Sequence, residues 1–221
     1  MAGLRQRQKI DRDRRIVEAA AGLFREFGFE GLKIETIAEQ AGVSVGTIYN
    51  YYESKGDVLI AVVSLEVNEV ISAGENVVSR PPPHASEAVN ALFDIYLRHS
   101  LHYLSKEMWR AAMSMSILHP ESRLGRHYGE LDEKLCQQVC RLLAKLGEQG
   151  SIDRTVDAET TGRILFNAMN MSFMNFVKDD AMDVETVIGS VQAQTRMMMS
   201  LVEGLRAGER RPLTVPDARR P

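Results

Sequence analysis

Ala38, Gly42 and Ile48 stand at positions n, n+4 and n+10 of the stretch IETIAEQAGVSVGTIYNYYESK, residues 34 to 55. No other feature of the chain restricts its fold as strongly. Two short apolar-periodic runs, about Ile34 to Ala41 and about Val45 to Tyr52, flank Gly42 and predict two short helices. The glycine is placed where a turn through positive φ is needed. Ser44 offers a hydroxyl to cap the second helix. A small residue where two helices touch, a glycine at the turn and a branched apolar residue facing back are what a helix-turn-helix requires. Ile37, Ala41 and Val43 extend the same core.

The rest of the chain reads as helix as well, and the fold class expected is all-α. Residues 12 to 27 place Ile16, Ala19, Ala20, Leu23, Phe24 and Phe27 at helical spacing, and Gly28 follows as a left-handed cap. Ser54 caps a longer helix running to about Ser79, and Pro81, Pro82 and Pro83 break it, since each lacks an N–H and fixes its own φ. Further helices are expected near 85–104, 107–117, 121–148, 158–178 and 184–206. Asp157 and Asp183 serve as N-caps for the last two, and Gly150 ends the helix before them. Runs alternating in the manner of strands are missing. The segment from Ala207, AGERRPLTVPDARRP, is rich in proline and arginine and is expected to be disordered.

Composition narrows the function classes. The 221 residues are 44% hydrophobic, enough for a core, and their apolar runs are too short to span a bilayer. The start is charged rather than apolar, so no signal peptide is read. Two cysteines make no disulfide framework, and a reducing cytoplasm is the simplest compartment. The net charge of −3 is unevenly distributed: residues 1 to 15 carry six basic side chains against two acidic ones. Such a segment beside a helix-turn-helix is expected to act as an arm along DNA, each neutralised phosphate adding a salt-dependent increment of affinity.

With the core face turned inward, the N-terminal, outward part of the second helix carries Val45, Gly46, Thr47, Tyr49 and Asn50. That is the part a recognition helix places in the major groove. Here the chain resembles the tetracycline-repressor (TetR) family of bacterial transcription regulators. The resemblance covers residues 12 to 60, through LFREFGFEG and IETIAEQAGVSVGTIYNYYESKGDVL. It is carried by Ile37-Ala38, Ala41-Gly42-Val43-Ser44, Gly46-Thr47, Tyr49, Tyr52 and Ser54-Lys55. It departs at Leu32, where the family often has a threonine opening the second helix, and Lys33 next to it can still reach a phosphate.

The resemblance implies a palindromic double-stranded operator bound by a homodimer. Lys33, Thr36, Ser44, Val45, Gly46, Thr47, Tyr49, Asn50, Tyr51 and Lys55 are the expected DNA-binding residues. Thr47 and Tyr49 offer hydroxyls to phosphates and base edges, and Tyr51 and Lys55 face the backbone, contacts that position the protein without reading sequence. Base readout falls to Val45, Gly46, Thr47, Tyr49 and Asn50, with Val45 suited to a thymine methyl and Asn50 to adenine. Tyr52 is different: its spacing from Ile48 turns it toward the core.

Residues 85 to 206 match no motif. His99 and His102 share a helix face and could form half a metal site, with His119 and His127 to complete it, although structural or surface roles suit them better. Cys136 and Cys140 also share a face and read as small apolar residues or as a thiol sensor. No phosphate loop, nucleophile elbow or paired carboxylates around a histidine occur, and neither enzymatic activity nor a cofactor or resident metal is expected.

What this part does carry is apolar bulk. Residues 164 to 177, ILFNAMNMSFMNFV, are apolar on nearly all sides and need cover on all sides. By the resemblance, the last two helices pair across a two-fold axis. Eleven methionines suit an adaptable cavity for a small, largely apolar effector. Phe93, Tyr96, Trp109, Met113, Phe166, Asn170 and Met174 are its candidate lining, and Asn167 and Asn170 need partners on so apolar a helix.

The expected organisation is a DNA-binding domain over 1–54 with the basic arm 1–15, an effector and dimerisation domain over 55–206, and a tail over 207–221. The function expected is a ligand-responsive repressor. The rival is a helical scaffold, or a metal- or thiol-responsive sensor, without operator binding.

Overall fold

The structure, a computed structural model, describes residues 2–204. The tail expected over 207–221 lies outside the described residues. Nine helices make up the described chain: α1 (Ala2–Gly31), α2 (Ile34–Gln40), α3 (Val45–Tyr49), α4 (Lys55–Ser79), α5 (Ala85–His99), α6 (Lys106–Leu118), α7 (Arg123–Glu148), α8 (Ala158–Lys178) and α9 (Val184–Gly204).

The basic segment is not a separate arm but the beginning of α1. Its charges alternate in sign one turn apart, and Arg14 pairs with Asp11 at 2.9 Å and with Glu18 at 3.3 Å. Such pairs support an exposed helix modestly, each by about 0.2–0.5 kcal/mol. α1 is interrupted at Gly28, whose φ of 71° and ψ of 172° take the chain out of the helix. The break redirects the aromatic residues that follow. Phe27, expected in the core, is 50% exposed, while Phe29 is buried and stacks on the fully buried Phe24 with ring centroids 5.8 Å apart.

α4 begins and ends where the sequence places it. Ser54 Oγ accepts the Asp57 N–H at 3.2 Å, and Asp57 Oδ2 accepts the Ser54 N–H at 3.0 Å, the reciprocal arrangement that fixes a helix start. Val58, Val62, Val63, Val67 and Val70 form its buried stripe. α5 is shorter than expected, ending at His99, and a turn through Ser100–Leu104 leads to α6. Asp157 caps α8 through the N–H groups of Glu159 and Thr160, and Asp183 Oδ1 accepts the Thr186 N–H at 2.8 Å before α9.

α7 lies between α4 and α8, α5 packs on α9, and α6 contacts α1, α4, α7 and α8. One continuous apolar core runs from Ile16 in α1 to Met199 in α9. Among the described residues no helix is long and apolar enough to cross a membrane.

Candidate nucleic-acid interface and internal cavity

The turn between α2 and α3 is built by backbone hydrogen bonds. The Val43 N–H reaches Ala38 O at 2.9 Å and the Gly42 N–H reaches Glu39 O at 3.1 Å, the paired pattern that ends a helix on a left-handed residue. Gly42 has φ 65°. From α1, the Arg15 guanidinium donates to Ala41 O at 3.3 Å, so the turn is also held from outside. Ile37, Ala38, Ala41 and Ile48 are buried beneath it.

α3 is a short helix whose last turn stops early. The Asn50 N–H bonds to Gly46 O and Thr47 O, each at 3.2 Å. Asn50 and Tyr51 therefore follow the helix rather than continue it. Ser44 Oγ accepts the Thr47 N–H at 3.1 Å and lies 2.8 Å from Thr47 Oγ1. Ser44, Gly46, Tyr49 and Asn50 are exposed, with Tyr49 at 53%; Val45 and Thr47 are half-buried. On α2, Thr36 is half-buried. Lys33, its exposed N-cap residue, makes no side-chain cap, and Leu32 beside it is buried.

The remaining tyrosines and the lysine have internal partners. Tyr52 is buried, and its hydroxyl donates to Asp13 Oδ1 at 2.6 Å; burial and this carboxylate both push the phenol up. The Tyr51 hydroxyl donates to Lys9 O at 3.2 Å, with the Lys9 ammonium 5.9 Å from its ring centre. Lys55 Nζ donates to Glu30 O and Leu32 O, both at 3.2 Å, and sits 4.5 Å from the centre of the Phe29 ring. Its ammonium ties α4 to the end of α1, leaving one of its three N–H donors.

A cavity opens among α4, α5, α6, α7 and α8. Of the seven residues expected to line it, the structure puts Tyr96, Trp109, Phe166 and Asn170 on its wall. Phe93 and Met113 are buried elsewhere in the core and Met174 packs against that core, so these three do not reach it. Asn170 has a partner, donating to Asp132 Oδ2 at 3.3 Å, whereas Asn167 is exposed and needs none. The wall also holds Glu66, Tyr128 and Asp132, which sequence reasoning missed. A signal for them existed, because Glu66 stands between Val63 and Val67, and Asp132 beside Leu131, in otherwise apolar stripes. The free space is about 50 Å³. That is room for a few waters, well below the roughly 300–1,000 Å³ of a site filled by a drug-sized molecule.

The histidines and cysteines occupy other places. His99 Nδ1 bonds to Glu66 Oε1, and the His99 and His102 rings lie 5.0 Å apart. His127 Nε2 bonds to Ser64 Oγ at 2.8 Å, and His119 is exposed at the end of α6. Among the described residues no three His, Cys, Asp or Glu side chains gather as metal ligands. Cys136 and Cys140 are buried, and burial pushes the Cys140 thiol up to about 12. Gly162 faces Cys140 so closely that a Cβ there would lie 2.7 Å from its sulfur, so α7 and α8 pack tightly at this point.

Comparison with known proteins bears on the same segment. The family model for bacterial regulatory proteins, tetR family, matches residues 16–62. A relative, the HTH-type transcriptional repressor KstR of Rhodococcus jostii, is 35% identical over 72 residues, covering 33% of this chain and 34% of that protein. The chain thus aligns with about a third of the length of the curated relatives it matches. Solved structures extend the likeness in fold to nearly the whole chain. A TetR-family transcriptional regulator of Mesorhizobium loti gives a TM-score of 0.68 at 21% identity, covering 87% of this chain and 97% of that one. FadR of Bacillus subtilis in complex with stearoyl-CoA gives 0.60 at 22%, covering 86% and 97%. The Gly42 turn and the exposed α3 lie within the segment that this family model matches, and the helices beyond α4 share their fold with these solved structures.

Proposed function

We propose that the chain is a DNA-binding transcription regulator that grips a palindromic operator as a dimer and lets go when a small molecule fills the cavity. The observation that carries this is α3. Its Gly46 and Tyr49, and Asn50 just beyond it, face solvent while Ile48 is wholly buried, on a segment that the family model matches. In this reading residues 1–54 bind DNA, and residues 55–206 bind the effector and the second subunit. Tyr49, Thr47, Ser44 and Lys33 contact the backbone, Val45, Gly46 and Asn50 face the bases, and Thr36 flanks them on α2. Tyr51 and Lys55 serve mainly as braces, with single remaining contacts to phosphate.

The second subunit covers an apolar surface on the last two helices. Ile164 and Met171 of α8 are 52% and 55% exposed, and Met197 and Leu201 of α9 are 70% and 68% exposed. Large apolar side chains exposed together mark an interaction surface. Two identical patches meeting across a two-fold axis would cover each other.

Coupling follows two short routes. α4 carries Val63, Glu66 and Val67 of the cavity wall and begins at Lys55; its 25 residues reach about 37 Å. Trp109 of the wall lies two residues beyond Glu107, which accepts the Phe29 N–H from α1. A ligand larger than the present space must spread α4, α6, α7 and α8. Two α3 helices displaced with them no longer fit successive major grooves. FadR structures in complex with stearoyl-CoA and lauroyl-CoA support a ligand site in this fold.

The test is selection of duplexes from a random library by the full chain. A palindrome with half-sites about one helical turn, or a multiple, apart is the expected product. Enrichment of no motif would reject the reading in favour of a helical sensor or scaffold.

A further inference from the structure

The charged groups on the cavity wall are all acidic. Glu66 of α4 and Asp132 of α7 face it, and no lysine, arginine or histidine does. Five aromatic rings share the wall, those of Tyr96, Trp109, Tyr128, Phe166 and Phe173, and what remains is almost wholly aliphatic or sulfur-bearing.

The two carboxylates are not equivalent. Glu66 is bonded by His99 Nδ1 and by the Tyr103 N–H at 3.0 Å, so it is held from the end of α5 and from the loop after it. Asp132 receives only the Asn170 amide, at 3.3 Å. One turn earlier on α7, the Tyr128 hydroxyl has no hydrogen-bond partner among the described residues. Burial drives the Asp132 carboxyl up to about 6, and only the Asn170 hydrogen bond acts against it. A half-buried carboxyl with no cation beside it is costly for the protein.

We propose that the cavity takes a lipophilic cation, an amphiphile whose onium head is neutralised by Asp132 and faced by the aromatic rings, and that it rejects lipids bearing a carboxylate or phosphate. This assignment rests on the cavity being the effector site. A cation restores the missing partner of Asp132, and aromatic faces add attraction that is strongest when water is excluded. An anion meets two carboxylates at short range in a poorly screened interior. The present free space suits a head group, and the tail must part the flexible aliphatic wall, including Met169.

Calorimetry on the full chain with dodecyltrimethylammonium, dodecanol, dodecanoate and dodecanoyl-CoA, each below its micellar concentration, isolates the head group. The cation is expected to bind at least about tenfold more tightly than dodecanoate, with dodecanol between them. Asp132→Asn should remove that preference. Equal or tighter binding of dodecanoate or dodecanoyl-CoA overturns the assignment, as does no binding of any probe, or a preference that survives Asp132→Asn. Operator binding measured in parallel keeps the two readings apart. A chain that binds its selected operator but favours dodecanoate loses the cation site and remains a regulator. One that favours the cation but binds no operator keeps the site and loses the regulatory role.

Discussion

Glu107 accepts a hydrogen bond from the backbone N–H of Phe29 at 3.3 Å, joining the start of α6 to the end of α1 across 78 residues of sequence. The approach depends on Gly28 between them. A Cβ at Gly28 would lie 3.0 Å from Glu107 Oε2, and its φ of 71° suits glycine alone. Nearby, Arg25 Nη1 donates to His102 O at 3.0 Å, a second tie between α1 and the loop before α6. These contacts join α6, which carries Trp109 of the cavity wall, to α1, on which α2 packs.

Glu107→Ala should therefore cost about 1 kcal/mol of stability, the usual worth of one such bond, and should weaken the effect of ligand on operator binding more than it weakens ligand binding itself. Gly28→Ala should cost about 1–3 kcal/mol from its backbone conformation alone. Denaturant midpoints and paired ligand and operator titrations check both.

The tyrosines separate into two experiments. Tyr49→Ala should leave stability within about 0.5 kcal/mol, as expected of an exposed site, and should weaken operator binding. Tyr52→Phe should do the reverse, losing the bond to Asp13 at a cost of about 1 kcal/mol with operator contacts intact. Lys33→Ala should lower the slope of log affinity against log salt by about one unit. Lys55→Ala should lower stability as well, because its ammonium holds Glu30 O and Leu32 O. Anisotropy at several salt concentrations and thermal melts separate these outcomes.

Assembly is tested on the outward side of α9. Met198 is half-buried against the core, so a charge there would disturb the subunit itself. Met197→Glu and Ile164→Glu, both at exposed positions, should shift a dimer toward monomer in sedimentation while each subunit keeps its fold. A parent chain that sediments as a monomer at micromolar concentration would remove the basis for palindrome binding.

The Asp132 carboxyl predicts a pH effect. Its folded value, raised mainly by burial from 3.8 to about 6, means that between these values the folded state holds more protons than the unfolded one. Its contribution to stability is thus fully present below about pH 4 and is lost as pH rises through about 6. Asp132→Asn should remove this part of the pH dependence and stabilise the ligand-free chain at pH 8 by about 1–3 kcal/mol. Chemical denaturation at pH 4 and pH 8 reads it directly.

Local signals made much of the fold legible. Ser54 and the prolines after Ser79 bound α4, and Asp157 and Asp183 mark α8 and α9, because caps and breakers act within a few residues. α1 extends beyond the expected 12–27 because its first turns, mostly polar and with Ile10 59% exposed, carry no apolar period to mark a helix. Phe27 was misplaced because the direction of the chain after Gly28 depends on a turn that Glu107 helps to shape. The site divides in the same way. The α3 face could be read from Ala38, Gly42 and Ile48, whereas the inward turn of Lys55 depends on carbonyls at Glu30 and Leu32. Phe93, Met113 and Met174 were drawn from composition, which does not say which side of a helix meets a cavity.

Dodecyltrimethylammonium affinity, measured by calorimetry with and without saturating operator duplex, tests the coupling of cavity and DNA most directly. Linkage requires that whatever weakens operator binding be weakened by operator in return. The account predicts an affinity about 5- to 150-fold lower with operator present, a coupling of about 1–3 kcal/mol. Equal affinities in the two conditions would contradict it.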